Sequence, residues 1–394
     1  AWYSWSWNEP VKRDYFTKRT PGYAFLLSLL ANREWLVLLV QHFLSIAVFW
    51  MLFRALASLT QKKMPAAFFL SAFLLLQSNQ LVYASTIVSE IPFQFLLTCG
   101  LFLLLGYLHD VRYYRLPLAV LCFALALLVK PVLLFFAVPL GVLLLAFFVR
   151  KKDWRILPLL LVLPLLVAWW SSRNKALTGY YHYSSITTVN LKDYNTRLLL
   201  EARGGIPFAN AVTGGISRMA EEKADYRERM EFIKDTCGKW LLQEWKAYAL
   251  VHAKGMMAML VDPGRYDYVN FFALKEAADE GLMYRLARGD VRGMWTVIKK
   301  QPLPVAVFFL VNLSGALLLL LCALSSMRFL KRHTLLLLIL LGFTAYFWVL
   351  TGPVGTARYK SAVFPALLLL AGWGLLGDKS ACLAAEPDSA GSGN

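Results

Sequence analysis

Four short stretches of the chain place charged groups at the edges of long apolar runs, where they could meet an anion or move a proton. Lys18-Arg19-Thr20-Pro21-Gly22-Tyr23 sets two adjacent cations just ahead of one such run. Arginine meets a phosphate through its planar fork and lysine as a point charge. The plainer reading is an interfacial anchor whose stems are buried and whose charges stay wet. Glu90, in Ser89-Glu90-Ile91-Pro92-Phe93, is a carboxylate able to serve as a base or to bind a metal or a sugar hydroxyl. Its plainer reading is a first-turn acid favoured by the helix dipole, with Ser89 as cap. Lys130-Pro131 interrupts an apolar run, and a lysine at that depth needs an anionic partner, a wet cavity or a path to the interface. Arg358-Tyr359-Lys360 opens the last apolar run, again as anion ligands or as flanking anchors.

The runs themselves define the class. The 394 residues are 58% hydrophobic and 16% charged, with a mean hydropathy of +0.53. Soluble domains carry about 45–50% apolar and about 25% charged residues. This balance excludes disorder, and five cysteines in 394 residues exclude a disulfide scaffold. The net charge of +17 does not argue for nucleic acid, because membrane proteins use excess Lys and Arg to fix topology.

A helix needs roughly 20 apolar residues to cross about 30 Å of hydrocarbon. Nine stretches qualify or nearly do, at 34–54, 64–84, 91–108, 116–130, 132–149, 156–172, 302–325, 334–351 and 360–377. The fourth and fifth are short and are separated only by Lys130-Pro131, where proline breaks the helix. Nine spans put Arg54, Lys62, Lys63, Arg112, Arg115, Arg150–Lys152, Arg155, Arg328, Lys331 and Arg332 on one side, which the positive-inside rule makes cytoplasmic. The expectation is an all-α polytopic membrane protein with five regions. These are an outer loop with an interfacial helix over 1–33, spans over 34–172, an outer segment over 173–301, spans over 302–377 and a disordered cytoplasmic tail over 378–394. A chain that begins outside with an odd number of spans further suggests a missing first helix.

The outer segment carries 20 Lys and Arg against 15 Asp and Glu. Within it, 216–260 reads as an amphipathic helix, with Met230, Ile233, Trp240, Leu241, Trp245, Tyr248 and Val251 near helical spacing. It suits either a membrane interface or the core of a small outer domain. Residues 261–301 show no pattern that orders them. No Cys/His spacing resembles a zinc site. All four charged stretches fall on the outer side in this topology. Two cationic clusters and a carboxylate at that level suit a lipid phosphate whose tail stays in the bilayer. A soluble nucleotide suits them poorly, since the chain has neither a G-x-x-x-x-G-K-[ST] loop nor a Rossmann glycine pattern.

These motifs, in order, resemble the polytopic GT-C glycosyltransferases, in the bacterial branch related to protein O-mannosyltransferases and the aminoarabinose transferase of lipid A. The matching stretches are Lys18 to Tyr23, Gln41, Ser89-Glu90, Lys130-Pro131 with Lys where the family has Arg, Trp170-Ser171-Ser172-Arg173-Asn174 with Gly179 and Asn190-Leu191, and Arg358-Tyr359 with Pro365. The Trp-x-x-Arg-Asn segment is the most specific, and the likeness covers roughly residues 14–377. The resemblance implies inverting transfer of a hexosyl or pentosyl group from a polyprenyl-phosphate sugar to a lipid, glycan or protein acceptor, at the outer face of the bacterial cytoplasmic membrane. It makes Lys18, Arg19, Lys130, Arg173, Arg358 and Tyr359 the donor-phosphate ligands and Glu90 a catalytic candidate. Some relatives use a divalent cation. The family's basic Asp lies further upstream of the Pro-Gly-Tyr motif than this chain extends, so the chain is expected to bind donor without turning it over unless Asp14 substitutes. A lipid-linked glycan ligase or polymerase and a lipid flippase or transporter are the alternatives. A transporter predicts internal repeats and broken helices at the midplane, and the sequence has no repeat between its halves.

Overall fold

The computed structural model describes residues 17–31, 33–273, 291–300 and 302–377. Asp14 and the tail from 378 onward lie outside the described residues. Among those described the chain is helical, with no strand. In order the helices are α1 (Pro21–Leu29), α2 (Glu34–Thr60), α3 (Lys63–Leu76), α4 (Asn79–Ala84), α5 (Glu90–Asp110), α6 (Arg115–Val129), α7 (Ala137–Lys151), α8 (Leu159–Thr178), α9 (Ile186–Asn190), α10 (Arg197–Glu221), α11 (Tyr226–Gln243), α12 (Trp245–Val261), α13 (Arg265–Phe271), α14 (Val291–Lys300), α15 (Leu303–Leu324), α16 (Thr334–Thr351) and α17 (Ala357–Leu376). A π-helical turn, Leu191–Thr196, joins α9 to α10.

Among the described residues six helical segments are long and apolar enough to cross a membrane: Glu34–Thr60, Glu90–Asp110, Trp154–Thr178, Leu303–Phe329, Thr334–Val354 and Ala357–Leu376. The chain is a helical, membrane-associated protein on this evidence of length and composition. The other expected spans are shorter. The stretch 64–84 divides at Gln77 into α3 and α4, and the run 116–149 divides at Lys130-Pro131 into α6, a 3₁₀ turn and α7. Proline at 131 has no N–H to continue the ladder, and the residue before it is pushed out of the helical region. Lys130 accordingly sits at φ −139°, ψ 129°.

Helix α17 forms the centre. Its apolar window is 83% buried, against 22% for that of the segment containing α8. Small residues let neighbours approach it closely. At Gly372 a methyl group would lie 2.6 Å from the Leu56 side chain. The long helices turn apolar side chains outward at helical spacing, as Trp35, Leu39, Phe43, Ile46 and Trp50 do on α2. Such stripes would be costly in water and are natural against lipid.

The segment between the two groups of long apolar helices has a core of its own. Ile216 and Ala220 of α10 pack on Met230, Ile233 and Cys237 of α11. The single amphipathic helix expected over 216–260 is instead the end of α10, all of α11 and most of α12, with breaks after Glu221 and at Glu244. Asp225 caps α11 by accepting from the Glu228 N–H at 2.8 Å. Met230 and Ile233 serve this core, while Trp245 is exposed. Helix α12 then docks on the bundle. The Trp348 indole donates to the Met256 carbonyl at 2.8 Å. Gly255 lies so close to the Gly352-Pro353 backbone that no side chain fits there.

Candidate functional site

The start of α5, the end of α6 and the start of α17 meet at one end of the bundle, and Glu90 is where they meet. Its side chain is 1% exposed. Lys130 Nζ donates to Glu90 Oε1 at 2.9 Å. Arg358 donates to the same oxygen through Nε at 2.8 Å and Nη2 at 2.6 Å. Glu90 Oε2 is buried and has no protein donor among the described residues. Lys130 thus finds its anion in Glu90, and its ammonium also lies 5.4 Å from the Phe93 ring centre. Ser89 makes no side-chain cap, so the cap suggested for it is corrected. The carboxylate is held by two cations from other helices instead.

The Lys18 to Tyr23 stretch is brought to this place by packing. Pro21 occupies the first turn of α1, where its missing N–H costs nothing. Gly22 lies against the end of α6, where a Cβ would come within 2.8 Å of the Leu128 carbonyl carbon. Tyr23 donates to Gln41 Oε1 at 3.0 Å. Buried Gln41 in turn donates to the Thr86 carbonyl at 2.7 Å. These contacts put Arg19, which is exposed, where its charge acts on Lys130 and on Tyr359. Tyr194 of the π turn lies near Tyr359. Such turns are rare and often occur at functional sites.

Arg173 and Lys18 are tied to the adjoining loop. Asn174, fully buried, donates to the carbonyls of His182 and Tyr183 at 2.9 and 3.0 Å. Ser184 donates to the Lys18 carbonyl at 2.8 Å, and the Ser185 N–H donates to the Thr17 carbonyl at 3.0 Å. Arg173 sits over the Trp170 ring at 4.7 Å and donates to Asn174 Oδ1 at 2.9 Å. The Trp-x-x-Arg-Asn segment therefore has a structural use: its Asn174 pins the His182-Tyr183 loop, whose next two residues hold the backbone of Thr17 and Lys18.

Below Glu90 the bundle is polar. Gln94 and Gln80 exchange hydrogen bonds at 2.7 and 3.0 Å, and Gln80 also donates to Ser45 at 3.0 Å. A cavity of about 20 Å³ lies against Gln77, Asn79, Gln80, Tyr83, Lys360 and Ser361, room for one water. Lys360, which the sequence groups with Arg358, is buried and donates to the Asp262 carbonyl at 2.9 Å.

Three residues beside this cluster escaped the sequence reading. Tyr83 donates to Asp267 Oδ2 at 2.7 Å. Asp262 accepts from the Ala357 N–H at 2.7 Å, satisfying the first turn of α17. Both acids lie in the stretch that had no periodicity. Asp262-Pro263-Gly264 is a turn signature that marks the start of α13, but nothing local links it to Glu90. Burial raises the Asp267 carboxyl to about 6, against the Tyr83 hydrogen bond and Arg358, which lower it.

Among the described residues no group of three or more His, Cys, Asp or Glu side chains could hold a metal ion. Glu90 Oε1 is taken by Lys130 and Arg358. Comparison with protein-family models, with curated proteins and with solved structures finds no match to this chain.

Proposed function

We propose that this chain is an inverting membrane glycosyltransferase that takes its sugar from a polyprenyl-phosphate donor at the outer face of a bacterial cytoplasmic membrane. The observation that carries the reading is the meeting of Lys130 and Arg358 on one carboxylate oxygen of Glu90, with Arg19 near enough for its charge to act on Lys130. Glu90 and Asp267 together offset two of the three cations, and the surplus lies on the open side, where Arg19 is exposed and the Arg358 side chain is 51% exposed. A lipid phosphate whose tail lies along the outward apolar stripes would bring its anion to that surplus. The likeness of the motifs to GT-C enzymes supports the same reading.

In this proposal nine segments span the bilayer. Outward apolar residues on the short helices favour that count, as with Val138, Val142, Leu145 and Val149 on α7. The acceptor oxygen attacks the anomeric carbon while the bond to the phosphate oxygen breaks. The cations stabilise the charge that grows on the leaving phosphate. Glu90 keeps Lys130 and Arg358 charged and aligned. A lipid, glycan or protein acceptor would approach from the outer segment.

The test is release of polyprenyl phosphate from a labelled polyprenyl-phosphate sugar by the protein in nanodiscs. Arg358→Ala should lower kcat/KM about 100-fold, as loss of one charge-stabilising donor does elsewhere. Arg173→Ala should lower it less, through the loop it helps to hold. No release with any of several sugars, together with no donor binding, would sink the proposal and favour transport or glycan ligation.

A further inference from the structure

The short helix α13 is held with unusual thoroughness for seven residues of an outer segment. Asn79 donates to the Pro263 carbonyl at 3.2 Å. Gly264, at φ +79°, packs on the Asn79 amide, where a Cβ would lie 2.6 Å from its oxygen. The Gly264 N–H donates to Asp262 Oδ1 at 3.0 Å, and the other oxygen of Asp262 takes the Ala357 N–H. Tyr268 is buried, shares a hydrogen bond with Ser78 at 2.9 Å and accepts from Asn312 at 2.8 Å. Its ring stacks on Phe308, centres 5.1 Å apart and planes 8° from parallel. Contacts from α3–α4, α15 and α17 thus fix a turn whose one remaining acid is Asp267.

Asp267 is only partly buried, unlike Glu90. One oxygen accepts from Tyr83. The charge of Arg358 acts on it as well as on Glu90. Glu90 cannot meet an incoming hydroxyl, because one oxygen is taken by two cations and the other is sealed from solvent. We propose that Asp267, held against the cationic cluster by Tyr83 and the anchored α13 turn, takes the proton from the attacking hydroxyl of the acceptor. The proposal rests on the glycosyl-transfer reading. As the new C–O bond forms, the acceptor proton passes to the Asp267 carboxylate and the electron pair of the breaking bond stays on the phosphate. No other reactant is required.

A base that titrates near 6 is ionised at neutral pH yet still accepts a proton readily. Among the described residues the groups that face it are Tyr83 on α4, Arg358 and Lys360 on α17, Glu90 on α5, Asp262 in the preceding turn and Tyr268 on its own helix.

The experiment uses the protein in nanodiscs with a labelled polyprenyl-phosphate sugar, water serving as acceptor, and measures donor binding and release from pH 4.5 to 8.5. Asp267→Asn is expected to bind donor within about twofold of wild type while kcat falls about 100-fold. The acid limb of the wild-type profile should vanish in that variant. Tyr83→Phe should move the acid limb upward, since the lost hydrogen bond favoured the carboxylate. A merely structural Asp267 would move neither limb. Release by Asp267→Asn within tenfold of wild type, or donor binding without release by wild type at every pH, overturns this assignment and leaves the donor reading intact. Absence of donor binding by wild type overturns both.

Discussion

Glu90 and Lys130 should show strong energetic coupling, measurable by a double-mutant cycle. Glu90→Gln keeps the shape but removes the charge that two cations share. The Lys130 side chain is 20% exposed and the Glu90 side chain 1%, so this pair is largely shielded from water. Removing one partner of a buried pair costs about 3–5 kcal/mol. Residual access of Lys130 to solvent argues for the low end. The Arg358 contribution adds little, because that side chain is 51% exposed and exposed pairs are worth about 0–1 kcal/mol. Glu90→Gln is therefore expected to cost about 3 kcal/mol. Lys130→Met should cost about 2 kcal/mol, since Glu90 keeps Arg358. The double variant should cost about 3 kcal/mol and not the sum, a coupling near 2 kcal/mol. For a chain of this size 1 kcal/mol corresponds to about 1–2 °C in Tm. Intrinsic tryptophan fluorescence in nanodiscs at one fixed scan rate reads the four Tm values, the fixed rate being needed because unfolding of such proteins is seldom reversible. Additive shifts across the cycle would refute the claim that Glu90 and Lys130 form one shielded unit.

Gly22→Ala should lower Tm by several degrees and weaken donor binding, because the Leu128 backbone cannot yield to a methyl group 2.8 Å away. Asn174→Ala leaves the buried Tyr183 carbonyl without the Asn174 amide; a cost of about 2 kcal/mol follows, and limited proteolysis should then cut the 180–185 loop sooner. Asp267 has a signature in stability as well as rate. Its carboxyl is raised to about 6 in the folded chain, against about 3.9 unfolded. Folding therefore takes up a proton between those values. The stabilisation is full below about pH 4 and is lost as pH rises through 6. Wild type should lose Tm over that window relative to Asp267→Asn, and parallel curves would contradict it.

The sequence by itself determined the class of this protein and several of its break points. Apolar runs of spanning length can only be satisfied as helices in lipid, so the all-helical bundle follows from composition. Lys130-Pro131 was a natural place to end a helix, because proline's demand is local, whereas whether its lysine would meet an anion, a wet cavity or the interface was left to packing. Glu90, Lys130 and Arg358 could be singled out one by one, since a charge at the edge of an apolar run stands out by itself. Their meeting at one carboxylate oxygen could not be read, because it depends on how three helices distant in sequence pack together. Asp262 and Asp267 were illegible for a further reason. They lie on a short polar segment with no hydrophobic period, and their importance comes from where α12 docks. That docking rests on Gly255 lying against Gly352-Pro353, a close backbone approach that no pattern in either segment announces. Tertiary packing alone turned a stretch without sequence pattern into a fixed turn near the cationic cluster, because only packing can hold so short a helix against the entropy of a free chain.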